Sequence, residues 1–439
     1  MKKERWMQII TASQEHTIDT YIPRDLETPL HSNKIISVIG SRRCGKTTYL
    51  FHLMDQLKKQ SIPPHSLIYI NMENPSLLPL KPTDLMDMME AYHLLYPLMI
   101  QDKKYLFLDE IQLVPDWEIA VRHLYDAENC QIWLSGSTSH LLSRDISTHL
   151  RGRSISYTLY PFSFRELVRY NNIDAQDPKL LYSSARFAIQ KLYVSYLQYG
   201  GYPEVLQTDQ KDEKNRILQE YFETIFFKDL IDRYHIRNIQ LMRELIKFLF
   251  TAIGSRFSVE SYYRTIKQTY PVSKQTIFNY LQYLEDIFMF FPVKKYANSL
   301  KEQTKSFKKI YALDLGLHHI GGFEVIPSNG HRLENAVYLE LLQRASRNPM
   351  LEIYYDRQLK EQEVDFMVKE GSKWVALYQV CVNLSRETTF KREIRSLLLA
   401  KEKYHPQNIY IITEEEEEIP FPYPEEIHII PFWKWALTE

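Results

Sequence analysis

A strong charge of either sign, paired cysteines and long apolar runs are all missing from this 439-residue chain, and each absence closes off a class of function. Lys and Arg number 54 against 55 Asp and Glu, a net charge of -1. The molecule therefore lacks the global positive field of a dedicated nucleic-acid binder, and any such binding must come from a local patch. Cys44, Cys130 and Cys381 are isolated and have no C-x-x-C spacing. That argues against a disulfide framework and a structural zinc site, and it fits a reducing compartment. No stretch reaches the roughly 18 uninterrupted apolar residues of a membrane span. The basic start Met-Lys-Lys-Glu-Arg-Trp leads into no apolar signal region, so the expectation is a soluble, cytoplasmic protein with no membrane partner. What is present is ordinary globular usage, 44% apolar and 25% charged, with 31 tyrosines that read first as packing residues; the length calls for two to four domains.

The strongest signal lies near the N-terminus. Residues 34–39, KIISVI, form a β-branched run, followed by Gly40-Ser41-Arg42-Arg43-Cys44-Gly45-Lys46-Thr47 and a helical pattern from Thr47 to Lys58. This is G-x-x-x-x-G-K-[ST] between a strand and a helix, the context in which it binds a nucleoside triphosphate. Gly40 and Gly45 let the backbone wrap a phosphate with Ser41, Arg42, Arg43 and Cys44 along the turn, while the helix carrying Thr48 adds its positive end. Lys46 would reach the β and γ phosphates, and Thr47 would offer its hydroxyl to Mg²⁺. Further on, the apolar run Tyr105-Leu-Phe-Leu ends in Asp109-Glu110. Asp109 is read as holding Mg²⁺ through water, and Glu110 as the general base for the attacking water. After the next run, Gln131–Leu134, the Ser135 hydroxyl could sense the γ-phosphate or orient water. Arg153 is the candidate arginine finger, on a neighbouring or the same subunit, with Arg151 in reserve, the alternative being surface ion pairs.

Further runs at Ser66–Ile70, Lys104–Leu108 and Ser154–Tyr160 alternate with helical stretches Pro82–Leu95 and Trp117–Glu128, which implies a parallel α/β sheet. The pattern turns helical from Phe164 onward, the place for a helical lid. Residues 238–295 read as two or three helices with N-caps at Ser258 and Ser273, and a helix Lys274–Asp286 then suits a winged helix-turn-helix. Gly321-Gly322 and Pro327–Gly330 mark a linker. Beyond it, a helix from Leu333 and strands near Glu352–Tyr355, Glu363–Val368 and Trp374–Val382 suggest a separate α/β domain.

Together, GSRRCGKTT (40–48), LFLDEIQ (106–112), LSGSTSHLLS (134–143), LRGRSISYTLYPFSFREL (150–167) and YGGYPEV (199–205) resemble the AAA-type ATPases of bacteria and archaea that carry a C-terminal domain of unknown function similar to PD-(D/E)XK nucleases. The resemblance spans nearly the whole chain. YFETIFFKDLIDRY (221–234), SKQTIFNYLQYLEDIFMFFPV (273–293) and FKKIYALDLGL (307–317) resemble that family's central region. It implies an AAA-type ATPase core at 1–170, a helical lid at 171–236, a winged-helix region at 237–320 and a degenerate restriction-endonuclease-like domain at 330–439. In that last domain Glu334, Asp365 and Gln379 stand where the nuclease places its metal. Gln379 replaces a carboxylate and Cys381 the lysine that would activate water, with Lys391 or Arg392 as substitute cations.

Three functions remain open. The first is an Mg²⁺-dependent ATPase acting as a motor or switch on DNA or RNA, with Arg264, Lys267, Lys274, Lys294, Lys295, Lys301, Lys305, Lys308 and Lys309 as a phosphate-facing patch or a merely solvated face. The second is a signalling or defence ATPase acting on protein partners. The third is an ATP-gated, metal-dependent nuclease. A finger acting between subunits would require a homo-oligomer.

Overall fold

The computed structural model describes residues 2–15, 21–137, 150, 152–174, 185–322, 329–359, 362–416 and 418–438. They fall into two compact units, Met1–Leu159 and Tyr160–Glu439.

The first unit is a five-stranded parallel sheet. Helix α1 (Lys2–Glu15) precedes β1 (Ile35–Ile39), α2 (Lys46–Lys59), β2 (Leu67–Asn71), α3 (Asp84–Leu95), β3 (Lys104–Asp109), α4 (Trp117–Ala127), β4 (Cys130–Gly136) and β5 (Ser154–Thr158). The strand order is β2-β3-β4-β1-β5, with every pairing parallel. β1 and β3 are buried along their whole length, as strands covered by helices on both faces must be, which is why they read as continuous apolar runs. Helix α2 buries Lys46, Tyr49, Leu50, Leu53, Met54 and Leu57, a stripe at the helical repeat, against the sheet. From β1 to β5 these elements lie within two residues of the boundaries expected from the sequence, whereas α1 was not expected.

The second unit begins with helices α5 (Phe164–Tyr170), α6 (Ala185–Tyr199), α7 (Pro203–Gln207) and α8 (Lys211–Thr224), the last running into a π-helix at Ile225–Asp232. Helix α9 (Ile239–Thr251), β6 (Arg256–Phe257), α10 (Val259–Ile266), α11 (Lys274–Asp286), β7 (Phe290–Lys295), α12 (Leu300–Lys305), β8 (Lys308–Ala312) and α13 (Leu315–Gly321) follow. The Ser258 and Ser273 side chains accept from the N–H groups of Ser261 and Thr276, so both act as the expected caps. Then come α14 (Asn329–Arg347), β9 (Leu351–Leu359), β10 (Gln362–Glu370), β11 (Lys373–Cys381), α15 (Glu387–Tyr404), β12 (Asn408–Thr413), β13 (Ile427–Pro431) and α16 (Phe432–Trp435). Asn329 and Gly330, expected as linker, already belong to α14; residues 323–328 lie outside the described residues.

One eight-stranded sheet, ordered β13-β12-β11-β10-β9-β7-β8-β6, runs through the central and C-terminal regions. The join is β7 against β9, where Lys294 and Lys295 pair with Tyr354 and Tyr355. The two regions thus share a sheet, a relation invisible to a reading that cuts the chain at its turns.

Two sequence motifs meet in a second internal lock. Asp314 accepts from the backbone N–H of Gly201 at 2.7 Å, Gly316 at 2.8 Å and Leu317 at 3.1 Å. A Cβ on Gly200 would stand 2.2 Å from the Asp314 carboxylate, and one on Gly201 would stand 2.2 Å from the Phe162 carbonyl oxygen. YGGYPEV and DLGL are therefore two halves of one close approach, and burial pushes the Asp314 carboxyl up to about 6 despite the three N–H donors that favour its charge.

Candidate nucleotide-binding site

At the C-terminal end of β1 the chain turns through Gly40, where a Cβ would lie 2.0 Å from the Leu159 carbonyl oxygen. Only glycine fits. Gly45, at φ +99°, is the left-handed residue that starts α2, a conformation glycine adopts without steric cost. Ser41 and Cys44 are buried between them. Arg42 pairs with Glu73 at 3.0 Å, and Arg43 and Thr48 face outward. Arg24, from the segment before β1, donates to the Cys44 carbonyl at 3.0 Å and ties the loop down. Burial raises the Cys44 thiol above its usual range, so it packs as a small apolar group.

Lys46 is buried. Its Nζ donates to the carbonyls of Gly40 at 3.2 Å and Ser41 at 3.0 Å and stands 3.6 Å from Glu110 Oε1. Burial works against its charge, but Glu110, with Cys44 and Asp109 beyond, outweighs burial and holds its pKa above the ordinary lysine value. Thr47 donates to Asp109 Oδ2 at 2.6 Å. A permanent cation, a hydroxyl and two carboxylates thus converge on a loop with no room for a Cβ at Gly40, at the start of a helix. That donor set fits a nucleoside triphosphate with Mg²⁺: Thr47 and Asp109 would hold the metal, which would neutralise phosphate charge.

Asp109 and Glu110 are placed by Ser135 and by Tyr69, a residue the sequence did not single out. Strand β4 lies between β3 and β1, and its register sets Leu134 beside Leu108 and Ser135 beside Val38. Ser135, fully buried, accordingly donates to Asp109 Oδ1 and accepts from the Glu110 N–H at 3.1 Å. Its hydroxyl thus positions both acids, beside the γ-phosphate-sensing or water-orienting role expected for it. Tyr69 of β2 donates to Asp109 Oδ2 at 2.8 Å. A lone hydroxyl within the apolar strand LIYIN was the available signal. Glu110 itself sits at φ +53°, an unfavourable region for a non-glycine residue, and its carboxylate accepts from Gln112.

Arg153 lies elsewhere. It precedes β5, its carbonyl accepts from the Ile35 N–H at 2.8 Å, and β1 carries it at the end opposite the loop, a strand of five residues or about 16 Å away. Its guanidinium pairs with Asp126 at 3.1 Å and lies over the Tyr125 ring. The expectation of a finger in its own subunit's site is corrected to a surface ion pair; Arg151 falls outside the described residues.

In the second unit Glu334 on α14 and Asp365 on β10 do come together, but around an ammonium. Lys309 Nζ of β8 stands 2.9 Å from Glu334 Oε1, 2.9 Å from Asp365 Oδ1 and 2.7 Å from Glu363 Oε1. Lys309, expected in a solvent-facing basic patch, is 2% exposed. Gln379 is buried on β11, next to the Tyr378 that pairs with Phe366, and its Oε1 has no hydrogen-bond partner among the described residues. Among the described residues no group of three or more His, Cys, Asp or Glu is placed to hold a metal, and where a metal was expected at Glu334, Asp365 and Gln379 the two acids face a lysine. Burial pushes the Cys381 thiol up to about 11, so it supplies no charge. Neither substitute cation enters the pocket, since Lys391 is exposed and pairs with Glu387 while Arg392 hydrogen-bonds Glu393. Of the rest of the patch, Arg264 and Lys274 both pair with Glu260, and the Lys305 side chain lies outside the description.

Residues 32–168 match the AAA domain family, and residues 190–321 and 329–435 match two domains of unknown function, DUF8612 and DUF4143. Over 425 residues the chain is 34% identical to uncharacterized protein MJ1544 of Methanocaldococcus jannaschii, covering 95% of this chain and 91% of that one. The chain belongs to the MJ1544 family. An uncharacterized protein of Haemophilus influenzae is 31% identical over 374 residues, covering 84% of this chain and 87% of its own length. Solved structures with some likeness include Aeropyrum pernix ORC1 in complex with DNA (11% identity, 73% of this chain and 91% of that one, TM-score 0.29) and AMPPCP-bound DnaA from Aquifex aeolicus (15% identity, 58% and 83%, TM-score 0.25). At those scores they add nothing to the family assignment. No helix among the described residues is long and apolar enough to cross a membrane.

Proposed function

We propose that this protein binds ATP with Mg²⁺ at the Gly40–Thr47 loop and hydrolyses it, using the reaction to change the conformation of the unit that follows. The observation that carries this is the convergence of Lys46, Thr47, Asp109 and Glu110, with Thr47 2.6 Å from Asp109 and Lys46 3.6 Å from Glu110. Lys46 binds the β and γ phosphates, and Glu110 takes the proton from the attacking water. Bound Mg²⁺ supplies charge neutralisation across the phosphates. Ser135 and Tyr69 keep Asp109 aimed, and the αL turn at Glu110 points its carboxylate toward Lys46. The AAA domain match over 32–168 supports the same reading. Measuring ATP binding and turnover for wild type, Lys46→Ala and Glu110→Gln tests it: binding should vanish in the first variant, and binding without turnover should mark the second. Turnover at the wild-type rate in Glu110→Gln would place the base elsewhere.

For the target, we propose nucleic acid, engaged by the central region. Its order of α9, β6, α10, α11, β7 and β8 supports the winged-helix reading, and Lys267, Lys294 and Lys301 remain exposed on it. ATP hydrolysis should accelerate with DNA or RNA, and binding should weaken steeply as salt rises from about 50 mM. Indifference of the ATPase to both, with no binding at low salt, would instead assign it to a protein partner. The order α14, β9, β10, β11, α15, β12 supports the expected nuclease-like fold for the C-terminal region, while the lysine among its acids argues against cleavage.

A further inference from the structure

The strand that carries Lys309, Lys308–Ala312, belongs to the central region, yet its ammonium ends inside the acidic pocket of the C-terminal region. An ammonium offers three N–H groups and accepts nothing. Here its three nearest carboxylate oxygens, on Glu363, Glu334 and Asp365, lie at 2.7, 2.9 and 2.9 Å. Other donors hold the same acids in place. Tyr311 donates to Glu334 Oε1 at 2.7 Å and the Val380 N–H to Asp365 Oδ2 at 2.9 Å, while Arg357 stands 3.5 Å from Glu363.

We propose that Lys309 is a built-in counter-ion that occupies this pocket in place of a divalent cation and closes it to metal. The distances favour an ammonium, since Mg²⁺ would draw its oxygen ligands in to about 2.1 Å and demand near-octahedral order. Charge favours it too, because the buried Gln379, next to the Val380 whose N–H binds Asp365, is neutral and adds no negative charge for a metal to neutralise. The lysine cannot simply swing away: it is 2% exposed, and leaving the acids would strand a cation in a buried place. The pocket thereby serves as a clasp between the central and C-terminal regions. Any metal-dependent chemistry there requires Lys309 to be withdrawn first, whatever the ATP site does.

The test is Mn²⁺ binding to the nucleotide-free full chain, read by electron paramagnetic resonance and by the shift in Tm. Lys309→Met should gain a Mn²⁺ site at least tenfold tighter than any in that pocket of the wild type, with a Tm that rises on adding Mn²⁺. Lys309→Met/Asp365→Asn should lose both effects. A folded Lys309→Met that gains no site overturns the proposal. If Lys309→Met does not fold, wild type and Asp365→Asn decide. Equal Mn²⁺ binding by those two upholds the proposal, whereas a wild-type Mn²⁺ site abolished by Asp365→Asn overturns it, as does Mg²⁺- or Mn²⁺-dependent cleavage of DNA or RNA that Asp365→Asn abolishes.

Discussion

Ser135 donates to Asp109 and receives the Glu110 N–H at 3.1 Å, so replacing it with alanine removes an acceptor and a donor at once and leaves a buried N–H unpaired, at about 1–3 kcal/mol. Ser135→Ala should therefore lower the ATPase rate and shift its Mg²⁺ dependence to higher concentration, with Tyr69→Phe giving a smaller shift in the same direction because only one bond to Asp109 goes. A magnesium titration of turnover in both variants reads this directly. Glu110→Gln should depress turnover by at least about 100-fold, the lower range for losing a general base. Asp314 gives a pH prediction. Burial raises its carboxyl from 3.8 to about 6, so the folded chain holds the proton more tightly than the unfolded one. Its contribution is full below about 3.8 and disappears as pH rises through about 6, a change on the order of 3 kcal/mol. Tm should carry this fall between pH 4 and 7, and the fall should be reduced in Asp314→Asn.

Within elements, the sequence was most legible where pattern and burial coincide. β1 and β3, buried on both faces, and α2, with its regular apolar stripe, could be placed within two residues because the local periodicity is the packing. The glycine motif of 199–205 was legible as a motif but not as a lock, since its partner Asp314 lies more than a hundred residues on and only the fold joins them. Gly201→Ala should lower stability by about 1–3 kcal/mol, the range for overpacking, because its Cβ would stand 2.2 Å from the Phe162 carbonyl oxygen. Gly152→Ala meets no atom within 4 Å at φ +72°, so only the left-handed backbone resists it, at about 1 kcal/mol. Thermal unfolding of the two variants should separate crowding from backbone strain.

For the whole molecule, ATP with Mg²⁺ should raise the Tm of the wild type through binding to the native state, by about 2.7 kcal/mol at a hundredfold excess over Kd, and should leave Lys46→Ala unmoved. Removing Lys309 should cost about 3–5 kcal/mol, because Glu334 and Asp365 would remain buried without their cation. Amino-acid order alone determined the phosphate loop, since its chemistry is contiguous: glycines, lysine and threonine act from neighbouring positions on one turn. It also determined the strand that ends in Asp109-Glu110, because a buried parallel strand announces itself by composition. Only the tertiary structure decided what aims those acids, for Tyr69 and Ser135 reach them across strand register, as it decided that Arg24 ties down the loop through the Cys44 carbonyl. It decided the acidic pocket as well. A lysine that reads as one of a basic run becomes the cation of Glu334, Glu363 and Asp365 because β8 continues the sheet that carries β10, and charge in a protein interior is settled by which strands meet, not by which residues are adjacent in the chain.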